Sequence, residues 1–102
     1  MTKFEILVGI EVQNESLYAD YRAAMKPILH EMGGDFVYDF QVQKVLKKEV
    51  EHGINRLFTI QFPNKEIMQA FFQDERYLAI KAQYFTPSVK EATIIRSYDV
   101  VT

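Results

Sequence analysis

The constraint that most narrows the fold is a change of hydrophobic rhythm along the chain, from a period of two to a helical period of roughly 3.6 residues and back, twice over. Lys3 to Val12 alternate, with Phe4, Ile6, Val8, Ile10 and Val12 on one side and Lys3, Glu5, Leu7, Gly9 and Glu11 on the other, the pattern of a strand with one buried face. Asn14 offers a helix cap, and Leu17, Tyr18, Tyr21, Met25, Ile28, Leu29 and Met32 recur at helical spacing until Gly33-Gly34 supplies a stop. This predicts a helix over 15–32, with Pro27 expected to bend it.

From Asp35 the alternation returns, setting Phe36, Tyr38, Phe40 and Val42 against Val37, Asp39, Gln41 and Gln43, and it predicts a long second strand running on toward "KVLKKEV". A third strand places Ile54, Phe58, Ile60 and Phe62 on one face, pairs with the second as a hairpin, and ends at Pro63. Asn64 caps a helix carrying Ile67, Met68, Phe71 and Phe72. Asp74 caps a restart carrying Tyr77, Leu78, Ala82 and Phe85, halted at Thr86-Pro87. "EATIIRSYDVV" closes as strand four.

The order β-α-β-β-α-β across residues 1–102 predicts one α+β domain of ferredoxin-like split-βαβ topology, with both helices on one face of a four-stranded antiparallel sheet. The bare face would then carry Leu7, Val37, Leu57, Ile95 and Val101 among polar neighbours. A patch that apolar calls for a covering partner, most simply a second copy in a homodimer.

Composition narrows the classes further. A formal charge of -2 provides no basic field for phosphates, and the third-strand positions that an RNA-recognition motif would use for stacking are Leu57, Thr59 and Gln61, so nucleic acid is not an expected partner. The apolar run Ile6 to Ile10 is too short for a signal core or for the roughly 18 residues of a membrane span. With no cysteine for disulfides, a cytoplasmic protein without membrane partners is expected.

Three stretches, "LYADYRAAMKPILHEMGGDFV", "FTIQFPNKEIMQAFFQDERYLAIKAQY" and "IIRSYDV", together resemble domain of unknown function family 1330, within the dimeric α/β-barrel superfamily. The resemblance covers nearly the whole chain. It implies two sheets closing face to face into a barrel, with ligand cavities between sheet and helices. That superfamily includes antibiotic-biosynthesis monooxygenases, haem-degrading enzymes, muconolactone isomerases and stress-responsive binding modules, so the fold does not select an activity. The chain contains no tryptophan, which the oxidative branches often place in the pocket, and none of their catalytic residues is carried over.

Among chemically capable residues, His52 stands beside Gly53 where strands two and three reverse and reads as a solvated hairpin tip, the glycine supplying positive φ. His30 falls on the polar side of the first helix. Neither has a metal-ligand companion at i+3 to i+5, and Ser16, Ser88 and Ser97 lack a nucleophile setting, so no metal site and no cofactor are expected and catalytic residues stay unassigned. The expected ligand-binding residues are those of the helix-facing parity: Tyr18, Tyr21, Tyr38, Arg56, Arg96 and Tyr98. Arg96, mid-strand on an apolar face, calls for a carboxylate partner or an anionic ligand. Met25, Met32, Met68, Phe71 and Phe72 would serve as core or as pocket wall. Two classes remain: a binding or structural dimer with a small-molecule pocket, or a cofactor-independent monooxygenase or isomerase acting on a small aromatic or carboxylate-bearing substrate.

Overall fold

The computed structural model describes residues 1–102. Its elements are β1 (Thr2–Val12), α1 (Glu15–Glu31), β2 (Asp35–Gln41), β3 (Arg56–Phe62), α2 (Lys65–Gln73), α3 (Glu75–Ile80), a π-helical turn (Lys81–Phe85), α4 (Thr86–Ser88) and β4 (Val89–Val101). The strands pair antiparallel in the order β2-β3-β1-β4, the ferredoxin-like arrangement. Asn14, Asn64 and Asp74 cap α1, α2 and α3 through their side-chain oxygens, and Gly33, at φ 86, turns the chain out of α1. The α1 helix runs on through Pro27 as far as Glu31.

The core lies between the sheet and the helices. Phe4, Ile6, Val8, Ile10 and Val12 of β1 and Phe58, Ile60 and Phe62 of β3 meet Tyr18, Tyr21, Met25 and Leu29 of α1, together with Phe71 and Tyr77. Phe62, Phe71, Phe72 and Tyr77 interlock with ring centroids 4.6–6.0 Å apart, mostly tilted or edge-on, as ring quadrupoles favour.

Four expectations are corrected. The second strand stops at Gln41 rather than running on, and residues 42–55 form a strap. Asn55 clasps the end of β1 through its backbone and its side chain, donating to Ile10 O and Val12 O and accepting from Val12 N. The strap then crosses to β4. His52 donates from Nδ1 to its neighbour's carbonyl, Gly53 O, at 2.8 Å, and Nε2 sits 2.6 Å from the Thr93 hydroxyl. His52 is therefore a clasp and not a hairpin tip; Gly53 has no positive φ and donates its amide to Glu11 Oε1. Ile54 leaves the helix side as well, packing over Gly9 beside Ile95.

The third correction concerns the end of the broken helix. The helix stops only one residue beyond the expected halt, at Ser88, and it passes Pro87 because the turn before it widens: Thr86 N donates to Lys81 O, five residues back. Pro87 has no amide to donate and would clash with a carbonyl four residues earlier, and a widened turn removes that conflict.

The fourth concerns the two edge strands, and it moves predicted site residues. In β2, Phe36 pairs with Ile60 but Tyr38 pairs with Thr59, leaving Val37 as an extra residue. In β4, Arg96 pairs with Leu7 but Ile94 pairs with Val8, leaving Ile95 extra. Each bulge reverses the parity of what lies beyond it. Tyr38, Arg96 and Tyr98 consequently stand on the bare face, Asp39 turns toward the helices, and Val101 leaves the bare face for the parity of Phe4. The Tyr38 amide, displaced by the bulge, donates to Thr59 Oγ1 at 3.0 Å.

Candidate functional site

Between sheet and helices a cavity of about 260 Å³ opens beside the core. Ile6, Val8, Phe58, Ile60, Ala92 and Ile94 form its sheet wall, and Tyr21, Phe72, Tyr77, Lys81 and Phe85 its helix wall. Tyr77, Lys81 and Phe85 share it because they follow one another at i, i+4 and i+8 through α3 and the π turn. The walls are hydrocarbon except for two features. Tyr21 and Tyr77, both buried, hold their hydroxyls 2.9 Å apart, and Lys81 is exposed. Burial pushes the Tyr21 phenol well above its ordinary value, with the neighbouring Tyr77 adding to the effect, and burial raises Tyr77 as well. Both are therefore neutral hydroxyls near pH 7.

A separate polar cluster lies along another flank of α1, beside β2 and β3. Asp39, brought round by the β2 bulge, accepts two hydrogen bonds from Arg22, at 3.0 and 3.2 Å, and two from Arg56, at 3.0 Å each. Arg22 also donates to Tyr18 Oη at 2.7 Å and lies 4.0 Å from the centroid of the Phe36 ring. Desolvation opposes ionisation of Asp39, yet the hydrogen bonds from Arg56 and Arg22 outweigh it and hold the carboxyl below the usual range. Burial likewise raises the Tyr18 phenol, against the pull of Arg22. Together with Glu15 and Lys26 these residues line a polar groove of about 360 Å³.

The six predicted binding residues are thus divided among three places. Tyr21 lines the apolar cavity; Tyr18 and Arg56 belong to the polar groove. Tyr38, Arg96 and Tyr98 lie on the bare sheet face, where Tyr38 stacks on Phe40 and the Tyr98 hydroxyl donates to Glu5. The Glu5 carboxylate raises the Tyr98 phenol to about 12. Arg96 has no carboxylate partner; it donates to Ile95 O at 2.6 Å and lines a groove of about 630 Å³ between the strap and β4, with Lys47 and Lys48. Arg22, Asp39, Tyr77 and Lys81 were not among the predicted residues. Arg22 stands four residues after Tyr18, a spacing visible in the sequence, whereas Asp39 is hidden by the bulge.

No helix is long and apolar enough to cross a membrane, and nowhere do three His, Asp or Glu side chains gather as a metal centre would require. The profile of the domain of unknown function family DUF1330 matches residues 6–98. The chain belongs to the DUF1330 family. No curated protein matches this DUF1330 chain. Among solved structures it is similar to a protein of unknown function from Rhodopseudomonas palustris, at a TM-score of 0.76 and 15% identity over 96% of this chain and 80% of that one. It is also similar to a dimeric ferredoxin-like protein of unknown function from Jannaschia sp. CCS1, at a TM-score of 0.61 and 10% identity over 100% of both chains. A putative antibiotic biosynthesis monooxygenase from Chloroflexus aurantiacus J-10-fl aligns at a TM-score of 0.57 and 13% identity, over 100% of this chain and 93% of that one. At such identities the likeness is one of fold.

Proposed function

We propose that this DUF1330 protein is a homodimer closed through its bare sheet faces, and that each subunit holds a small aromatic molecule in the cavity between sheet and helices. The observation that carries the ligand reading is the chemistry of that cavity. Its walls are hydrocarbon or aromatic apart from one tyrosine hydroxyl pair and one lysine, the combination of apolar lining and few polar anchors that small-molecule sites present. The dimer reading rests on the bare face, where Tyr38, Phe40 and Tyr98 are each more than a third exposed beside Leu7, Leu57 and Ile95. Thermal-shift and calorimetric titration with small uncharged aromatic compounds tests the pocket. Saturable one-to-one binding per subunit, abolished by Ala92→Trp or Ile94→Trp in the sheet wall, is expected; no saturable binding by any of them sinks the reading.

A second reading is a cofactor-independent monooxygenase or isomerase acting on a small aromatic or carboxylate-bearing substrate. It is favoured by the π-helical turn, which contributes Lys81 and Phe85 to the cavity wall, since π distortions recur at functional sites. Oxygen uptake or substrate isomerisation by the metal-free protein separates it from simple binding.

A further inference from the structure

The two cavity tyrosines share one hydrogen bond but possess two hydroxyl protons. Whichever oxygen donates across the 2.9 Å contact, the other hydroxyl keeps a proton for which the chain supplies no acceptor, since neither hydroxyl has a second acceptor partner. Tyr18, the next ring along α1, is already engaged as the acceptor of Arg22. Both rings of the pair belong to the cavity wall, so the place for a missing acceptor is the cavity itself. Burial keeps both phenols protonated, which makes the pair a donor and not a base. A hydroxyl that is itself accepting a hydrogen bond is polarised and donates more strongly.

The remaining polar group points the same way. Lys81 follows Tyr77 by one helical turn, is exposed, and makes no ion pair with any carboxylate of the chain. No Asp, Glu or His lines the cavity. Every polar feature of the site therefore offers a proton or a positive charge, in surroundings where an uncompensated anion would be costly and a matched one strongly held.

We propose that the cavity selects the ionised form of a small planar phenol or enol, with its oxygen on the Tyr21–Tyr77 hydroxyl pair and Lys81 as counter-charge. The inference rests on the cavity reading above and adds to it the charge state of the ligand. An arrangement of this type is the donor half of an oxyanion hole: it stabilises a negative oxygen without removing the proton itself.

The test uses 4-nitrophenol, whose ionised form absorbs in the visible, and 4-nitroanisole, its methyl ether, which cannot ionise. Both are titrated with the intact protein at a pH where free nitrophenol is half ionised. Binding of both compounds is expected, with the visible band of nitrophenol growing on binding, equivalent to an apparent pKa about one unit lower and roughly tenfold tighter binding of the phenolate than of the phenol. Tyr77→Phe and Lys81→Met should each remove most of that growth, measured with the variant saturated by nitrophenol. Lys81 is exposed, so its variant tests the inference even if a tyrosine variant folds poorly. Nitroanisole binding with an unchanged or fading phenolate band overturns the inference and leaves the cavity reading standing. Binding of neither compound overturns both.

Discussion

The residue that organises the polar groove is Asp39, whose two oxygens serve two guanidinium groups at once. Arg22 has a side chain only 10% exposed, so removing its counter-charge leaves a cation with little water to turn to. Asp39→Asn should therefore cost about 2 kcal/mol in urea unfolding, below the range for a fully buried pair because Asp39 itself keeps 33% of its exposure. The carboxyl is held below its unfolded value, so its contribution is complete above the usual carboxylate range and disappears as pH falls through the lowered one. As pH falls below about 4, melting temperature should drop more steeply in the wild-type protein than in Asp39→Asn. Gly33 is the other single residue on which local geometry depends: its φ is 86, and a Cβ there would stand 2.8 Å from Pro63 Cγ. Gly33→Ala should cost about 1 kcal/mol or more by the same measurement. The helix stop at Gly33 could be read directly from the sequence, as could the caps at Asn14, Asn64 and Asp74, because each depends on residues within one turn of the chain. Asp39 could not, because its partners are set by the pairing of β2 with β3.

Elements differed in legibility for the same reason. The alternation of β1 was read correctly on both faces because its side chains are sorted by a regular ladder against β3. The edge strands leave their sequence alternation beyond Val37 and Ile95 without a visible signal, since both bulge residues are β-branched, favour strands, and have no glycine or proline beside them to mark an irregularity. The strap is not legible in the sequence because "QVQKVLKKEV" alternates well enough to pass for strand, while what holds it is a set of long-range polar contacts from Asn55, Gly53 and His52. His52→Ala should consequently do more than a substitution at a free tip. The expected effect is a loss of about 1 kcal/mol and faster proteolysis within 42–55, while β3 amides stay protected from exchange. Thr93→Val should do the same, and the double variant should be no worse than either single one.

At the scale of the molecule, the β-α-β-β-α-β order was recoverable whole because it depends only on where each period starts and stops. The broad character of the bare face was recoverable too, although its membership changed: Val101 left it and Tyr38, Phe40 and Tyr98 joined it. Sedimentation should show a particle of twice 12.0 kDa for the wild-type chain, and Leu57→Glu should yield the 12.0 kDa species or an unfolded one. A 12.0 kDa wild-type particle at every concentration would exclude the proposed dimer.

The extra residue in β4 has a consequence for how this scaffold changes its chemistry over evolutionary time. Were the kink at Ile95 ironed flat, the last stretch of the strand would slide one step along β1 and bring Arg96 opposite Ile6, a residue of the cavity wall, with Tyr98 opposite Phe4. A guanidinium and a phenol would move to the helix side of the sheet, and Ser97 and Asp99 would leave that side, without a single new side chain being encoded. The Tyr98 hydroxyl gripping Glu5 holds the present alignment, so drift at those two sites is where such a reassignment would begin.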